Sequence, residues 1–303
     1  MAENLKLEFD RRPSVYAFMR GTLRRYPGLS VANGFPPVRV SWRRHRVDPN
    51  ELGRFLRLTG LHAEAGLPIL YPHVFGFVLQ MVILTHPALP LPIWGALQTR
   101  NHLLQHRAIP LGATFDFETR VADQRILEKG AEVDLHTAVR ARDELLWESL
   151  NTFYYRGRFG EAGKASPLAR TPDIAGEEIA RWRLPAKTGL RFARFTGDYN
   201  PLHLWDWYAR WVGFRGAFYH PQLVLGQCVA RLPAIDPMWP QRLDAWLKGP
   251  VYYNSDVSLR ATAEAGGTAF ALLVHGDDRP AVAGHRRREA TAGGLLGELH
   301  LPA

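Results

Sequence analysis

The chain contains an internal repeat, and this repeat limits the folds open to it more than any other feature. A segment at 157–176, rich in Gly, Pro, Ser and Ala, separates two stretches with the same order of features. Each stretch has a strand, a short helix ending in Thr-Gly, a proline-bearing loop, a longer apolar helix and alternating strands. RFLRLTG at 54–60 matches LRFARFTG at 190–197, and Tyr71 matches Tyr219. The ordered match indicates a duplicated unit.

The periodicity of the apolar residues predicts both helices and antiparallel strands in each half. Asp48 and Pro49 are suited to begin the helix that stops at Gly60. An apolar helix needs a sheet wrapped around it, so we expect an α+β fold in which two antiparallel sheets each wrap a central helix. The longer helices are predicted at 74–86 and 221–232, and strands at 38–42, 115–121, 133–139, 145–155 and 182–184.

The apolar residues of the segment at 157–176 show no periodicity, so the segment is predicted to be a linker. We therefore divide the chain into a degenerate N-terminal repeat at 1–156, the linker, and a C-terminal repeat at 177–303.

With 46% hydrophobic and 22% charged residues, the composition is that of a globular protein and excludes a fibre or a coiled coil. A single cysteine, Cys228, excludes an intrachain disulfide framework and a cysteine-rich zinc site.

The first residues, MAENLKLEFDRR, lack the basic start and apolar run of a secretion signal, and the apolar run at 74–84 is too short to span a bilayer. We therefore expect a cytoplasmic protein with no membrane partner. The net charge of +9 suggests a polyanionic ligand: nucleic acid, a membrane surface or a phosphate-bearing cofactor. No basic helix with interleaved aromatic residues occurs, so nucleic acid is not expected as a partner.

The motif TGDYNPLH at 196–203 places Asp198, Asn200 and His203 within six residues, directly after a helix end. A carboxylate and an imidazole held together can share acid–base chemistry, one taking a proton and the other delivering one. The alternative is structural: Asp198 and Asn200 cap a turn, and His203 packs on Trp205 or Trp207.

The motif resembles the signature of the MaoC-like, R-specific enoyl-CoA hydratases and dehydratases, S/T-G-D-x-N-P-I/L-H. Gly213-Phe214, Tyr219-His220 and Lys248-Gly249-Pro250 also fit the family pattern. The resemblance covers about 180–290 and implies a double hot-dog fold. The implied reaction is syn hydration of a trans-2-enoyl thioester to an (R)-3-hydroxyacyl thioester, or the reverse dehydration.

The resemblance also assigns roles to residues of the second half. Asp198 is the expected base, His203 relays the proton, and Asn200 orients the water or Asp198. It implies no metal and no redox cofactor. The substrate would be a thioester of coenzyme A or of acyl carrier protein, and a homodimer is one assembly open to the chain. The expected substrate-binding residues are Tyr219, His220, Pro221 and Gln222.

Two departures from the family pattern affect this reading. Leu61-His62-Ala63-Glu64 stands where the second half has Asp198 to Pro201, so the first half lacks the site and is expected to complete the fold and the acyl pocket. Pro221 replaces the family's glycine, whose N–H holds the thioester carbonyl, and proline has no N–H. The N–H of Gln222 or the helix dipole could substitute. Otherwise the chain is a non-catalytic or altered-specificity paralogue that binds acyl thioesters.

Other motifs have competing interpretations. The spacing of His102 and His106 would suit a metal on a helix, but no third ligand is evident and a strand fits equally well. The run at 285–288 could contact a carrier phosphate, although a solvated strand end is the favoured reading. Asp206 is expected to cap a helix. The three tryptophans that follow the motif are expected to be buried packing residues rather than a stacking platform: Trp205, Trp207 and Trp211.

Overall fold

The computed structural model describes residues 5–13, 25–30, 33–63, 66–186, 188–236, 238–289 and 294–299. Within these ranges, no helix is both long enough and apolar enough to cross a membrane. The helices are α1 Pro49–Thr59, α2 Tyr71–Leu84, α3 Gly189–Thr196, α4 Asp206–Trp211, α5 Pro221–Val229 and α6 Leu295–Leu299. The strands are β1 Leu5–Phe9, β2 Val38–Arg46, β3 Ala96–Gln105, β4 Thr114–Leu127, β5 Gly130–Ala141, β6 Glu144–Arg156, β7 Glu177–Arg183, β8 Gln241–Leu247, β9 Asp256–Glu264, β10 Gly267–Val274 and β11 Val282–Arg288.

The described strands form one sheet in the order β1-β2-β4-β5-β6-β3-β8-β11-β10-β9-β7. Every neighbouring pair is antiparallel except β1 with β2, which is parallel. The expected α+β class is confirmed. The two sheets predicted for the two halves are joined edge to edge, because β3 of the first half pairs with β8 of the second. The halves therefore share one continuous sheet.

The first helix of each half is short, and the two helices end in the same way. Thr59 and Thr196 return their hydroxyls to the carbonyls one turn earlier, at 2.8 and 3.0 Å. Gly60 and Gly197 follow with φ of 77° and 80°, the left-handed conformation that glycine adopts most easily. As predicted, Asp48 caps α1 through its side chain. The two Thr-Gly endings give the chain the same change of direction twice.

The longer helix of each half lies in the core. Almost every residue of α2 is buried, and α2 packs against β2, β4 and β5. Helix α5 is shorter than predicted, ending at Val229, and packs against α1 of the other half. A Cβ added to Gly226 would lie 2.6 Å from the methyl group of Thr59, so the two helices approach closely. This contact fixes the start of α5 relative to the first half.

The segment between β6 and β7 contains only a short 3-10 turn, Pro167–Ala169. The division at 157–176 and the repeat boundaries on either side of it stay predictions. Glu64, the last residue of the degenerate loop, lies outside the described residues, whereas Leu61 is buried where the second half has Asp198.

Candidate active site

A cavity of about 920 Å³ lies between the halves, beside the motif at 196–203. Its lining is mostly apolar and comes from both parts of the chain. The first half supplies α2 and β3 side chains, including Phe77, Met81 and Gln98, while the second supplies the motif loop and the start of α5. Such a concave, largely apolar pocket with a few polar groups is the usual form of a small-molecule site.

The loop is held by a ladder of hydrogen bonds that begins at the end of α3. The main-chain N–H of Asp198 donates to the hydroxyl of Thr196 at 3.2 Å, and that of Asn200 donates to Oδ1 of Asp198 at 3.2 Å. The side-chain oxygen of Asn200 then caps the 3-10 turn Pro201–His203 by accepting from Leu202 at 3.1 Å. Asn200 thus holds Asp198 through its main chain, and its side-chain oxygen shapes the turn that carries His203.

The tautomer of His203 follows from its partner. Its Nδ1 lies 3.0 Å from the main-chain oxygen of Phe218, and a carbonyl only accepts, so Nδ1 carries the hydrogen. Burial lowers the pKa of His203, although Asp198 and the Phe218 carbonyl oppose the shift. The neutral ring therefore presents the lone pair of Nε2, which lies 3.9 Å from Oδ2 of Asp198. Both atoms are hydrogen-bond acceptors, and one water can bridge them by donating to each.

A second, buried histidine contacts both members of this pair. His220 is 1% exposed and does not line the cavity. Its Nε2 donates to the main-chain oxygen of Asp198 at 2.9 Å, and its ring lies 4.1 Å from that of His203 and 4.9 Å from that of Phe192. Burial lowers the pKa of His220 to about 3, so the ring is neutral. Sequence reasoning predicted His220 among the substrate-binding residues, whereas in the structure its side chain contacts the loop at 196–203.

Asp198, His203 and His220 are also a group whose side chains could hold a metal ion, since their ligand atoms lie within 4.8 Å of one another. The hydrogen bonds do not favour this use. Nε2 of His220, the atom nearest the Asp198 carboxylate at 3.8 Å, carries the hydrogen donated to a carbonyl. The geometry suits proton transfer without a metal.

Of the remaining predicted residues, Tyr219 and Pro221 line the cavity, and Gln222 does not. The hydroxyl of Tyr219 donates to Pro185 at 2.7 Å, and Pro221 is the first residue of α5. Gln222 donates from Nε2 to Gln98 at 3.0 Å, while its oxygen accepts from Asn101 at 2.9 Å. Its side chain therefore ties the start of α5 to β3 of the first half.

The bond to Asn101 is one step in a buried row of carboxamides. Asn151 donates to Asn101 at 2.7 Å, and Gln80 of α2 donates to Asn151 at 2.7 Å. The three inner amides, Asn151, Asn101 and Gln222, each accept from one neighbour and donate to the next. Hydrogen bonds in such a row polarise one another cooperatively. Through them the core helix of the first half orients Gln98 at the cavity wall. Sequence reasoning missed this contribution, because amide residues in strands carry no motif.

The structure corrects the interpretation of the tryptophans. Trp205, Trp207 and Trp211 are 50%, 66% and 76% exposed, so they are not buried packing residues. Their spacing suited a helix, and α4 forms, but its buried face is carried by Ala209. Asp206 begins α4 and accepts from the main chain of Ala217 at 2.8 Å.

The other predicted candidates lie away from the cavity. His102 is on strand β3, where its Nδ1 lies 2.8 Å from Asp244, and His106 follows the strand with Nε2 3.0 Å from Glu148. The two rings therefore have separate carboxylate partners. The run at 285–288 ends β11, with Arg287 3.1 Å from Asp244.

Comparison with known proteins identifies related dehydratases. No family model matches the sequence. Over 191 residues the chain is 26% identical to 3-hydroxyacyl-thioester dehydratase X of Mycobacterium tuberculosis, covering 63% of this chain and 68% of the relative. The crystal structure of HtdX from the same organism superposes with a TM-score of 0.70 at 23% identity, over 83% of this chain and 100% of that one.

Two further structures share the fold. A MaoC-like dehydratase from Phytophthora capsici matches with a TM-score of 0.70 at 17% identity, over 85% of this chain and 96% of that one. A double hot-dog protein from Mycobacterium tuberculosis matches with a TM-score of 0.53 at 14% identity, over 87% and 98%. The chain is therefore similar in sequence to a 3-hydroxyacyl-thioester dehydratase, and it shares its fold with a solved MaoC-like dehydratase and a double hot-dog protein.

Proposed function

We propose that the chain is a hydro-lyase that interconverts a trans-2-enoyl thioester and the (R)-3-hydroxyacyl thioester. The observation that carries this proposal is the pair formed by Asp198 Oδ2 and His203 Nε2, two acceptors 3.9 Å apart at the wall of an apolar cavity. The acyl chain would occupy the apolar lining. The name of the Mycobacterium tuberculosis relative, a 3-hydroxyacyl-thioester dehydratase, agrees with this chemistry.

The hydration step follows from the two acceptors. The bridging water donates one hydrogen to each, and its oxygen bonds to C3 of the enoyl group as one acceptor takes a proton. The π electrons of the double bond move to the thioester carbonyl and form an enolate. The same acceptor then returns its proton to C2 while the other keeps the hydrogen bond to the new hydroxyl. Because both groups lie on one wall, hydroxyl and proton add to the same face.

The enolate oxygen needs a donor, and Pro221 cannot supply one. In the first turn of α5, Leu223 and Val224 both donate to the main-chain oxygen of His220, and the cap residue His220 makes no side-chain cap hydrogen bond. Among the described residues, the main-chain N–H of Gln222 is left without an acceptor. We place the carbonyl at this turn, with the N–H of Gln222 as donor. The second candidate function, thioester binding without turnover, rests on the same proline.

The carrier is coenzyme A or an acyl carrier protein, since the net charge of +9 suits phosphates and an acidic protein alike. Nucleic acid is not proposed as a partner. A cytoplasmic location and a homodimer stay predictions from the sequence.

The test is the absorbance of the conjugated enoyl thioester after mixing with crotonyl-CoA. Turnover removes the band, and Asp198→Asn and His203→Ala should each lower kcat at least about a hundredfold. Asp198→Asn should keep a melting temperature near that of the unaltered protein, because the carboxamide has the shape of the carboxylate. His203→Ala should melt lower, because it removes a buried ring that bonds to Phe218 and packs on His220. Binding without loss of the band would favour the non-catalytic paralogue. Stable proteins with retained turnover would refute the assignment of the pair.

A further inference from the structure

The mouth of the cavity exposes an unusual amount of apolar surface. Five exposed large apolar side chains also line the cavity, and they come from both halves of the chain. Three more, on and directly after α4, extend this surface away from the opening. We call these eight residues the mouth surface: Trp94, Leu97, Leu190, Tyr199, Trp205, Trp207, Trp211 and Val212. A contiguous exposed patch of this kind marks an interaction site more often than a monomer surface.

Helix α4 presents its aromatic residues in a fixed arrangement. Trp207 and Trp211 are four residues apart and so lie on one face of the helix. The opposite face is anchored by Ala209, which is fully buried with Leu202 and Phe218 in a small separate core. The Trp207 ring stacks on Trp205, with centroids 6.2 Å apart. The indoles are therefore held in place before any partner arrives, which lowers the entropy cost of binding.

Three cations border the mouth surface, and one exposed carboxylate, that of Asp206, lies among its residues. Arg194 lies one helical turn after Leu190 on α3, Arg210 lies on α4 between the two indoles, and Lys248 lines the cavity rim. All three side chains are exposed, and none is ion-paired within the described part of the chain. Arg210 only donates to the main-chain oxygen of Arg215 at 3.2 Å. The charges are thus available to a negatively charged partner.

We propose that the mouth surface docks a small acidic carrier protein that delivers the thioester on its prosthetic arm. This inference rests on the proposed function and decides between its two carriers. A nucleotide carrier would stack on one ring at the opening, whereas Trp207 and Trp211 lie outside the cavity lining. Tryptophan, tyrosine and arginine together are the composition of protein-binding hot spots, and the arginines complement an acidic partner.

The experiment compares one acyl group on two carriers. The kcat/KM for crotonyl acyl carrier protein and for crotonyl-CoA is measured for the unaltered protein and for the double variant Trp207→Ala/Trp211→Ala. The variant should lose at least about tenfold on the protein-borne substrate and stay within about twofold on crotonyl-CoA. Arg210→Glu should give the same selective loss, and raised salt should reduce the difference. The control is Ile179→Ala, which removes another exposed large apolar side chain, on edge strand β7.

Three results for the double variant would overturn the proposal. The first is an equal loss of kcat/KM on both thioesters, and the second is no loss on either. The third is that the variant loses binding to phosphatidylglycerol vesicles but keeps its kcat/KM on the protein-borne substrate. A calorimetric titration of the holo carrier protein into this protein measures docking independently of catalysis. If neither thioester is turned over, the proposed function fails, and the titration alone decides the docking proposal. Binding that the double variant loses supports it, and absence of binding by the unaltered protein refutes it.

Discussion

His220 donates its Nε2 hydrogen to the main-chain oxygen of Asp198 at 2.9 Å, across 22 positions of sequence. The bond joins the residue before α5 to the loop after α3, so one imidazole connects two of the elements that border the cavity. The ring is enclosed by His203 on one side and Phe192 on the other. We therefore expect His220 to be a positioning residue that acts on the proposed reaction through Asp198.

Replacing His220 by phenylalanine keeps the ring but removes the donor. The carbonyl of Asp198 is then unpaired, which costs on the order of 1 kcal/mol and lets the carboxylate shift. We expect kcat on crotonyl-CoA to fall at least about tenfold with little change in KM. His220→Gln, which retains an N–H donor, should recover part of kcat. Equal activity in the phenylalanine and glutamine variants would show that the N–H donor has no role.

The pH dependence of turnover should report the neutral His203. Burial lowers its pKa below the ordinary 6.5, so the Nε2 lone pair persists at neutral and mildly acidic pH. As pH falls through the lowered pKa, protonation removes the acceptor, and kcat/KM falls. A plot of kcat/KM against pH should show its acid limb centred below pH 6.5 and a plateau at higher pH. A limb centred at or above 6.5 would mean that a more exposed group controls the step. Denaturation is monitored by circular dichroism at each pH.

Gly189 allows the first turn of α3 to lie against the catalytic loop. A Cβ at this position would lie 2.3 Å from the main-chain oxygen of His203 and 2.3 Å from the hydroxyl of Tyr253. Tyr253 itself donates to that oxygen at 2.8 Å, so the added methyl group must displace the turn that carries His203. Gly189→Ala should therefore lower both the melting temperature and kcat.

The matched control is Gly53→Ala in α1, the corresponding helix of the first half. Its Cβ would meet only the flexible end of Arg57 at 3.4 Å. Alanine is favoured over glycine in a helix by about 1 kcal/mol, so this variant should be as stable as the original protein or more so. If both substitutions behave alike, the close approach at Gly189 has no special role.

Local chemistry explains which features could be predicted from sequence. The Thr-Gly helix ends, the cap at Asp48 and the turn at Asn200-Pro201 depend on residues within a few positions of one another. The contact of His220 with Asp198 depends on how α5 packs against the loop, which no spacing encodes. The pairing of β3 with β8 likewise depends on how the two halves dock.

The tryptophans show a second limit of sequence reasoning. A helical pattern of large apolar residues predicts a helix and usually its buried face. In α4 the buried position is the small Ala209, and the indoles face outward. A six-residue helix covers too little of the core to bury three indoles. Sequence alone therefore predicted the helix and misplaced its side chains.

Pro221→Gly tests where the thioester carbonyl is held. Pro221 lines the cavity at the first position of α5, where its missing N–H costs the helix nothing. Glycine restores a donor at this position but loosens the helix start, which should cost on the order of 1 kcal/mol in stability. If the carbonyl docks at this turn, turnover on crotonyl-CoA should rise despite that cost, because a second donor joins the N–H of Gln222.

Pro221→Ala is the control, because alanine restores the main-chain N–H without the backbone freedom of glycine. It should show the same gain in turnover with a smaller loss of stability. Unchanged turnover in both variants would place the carbonyl elsewhere. An unaltered protein that binds crotonyl-CoA without turnover, beside a glycine variant that turns it over, would identify a hydratase that lost its activity through this proline.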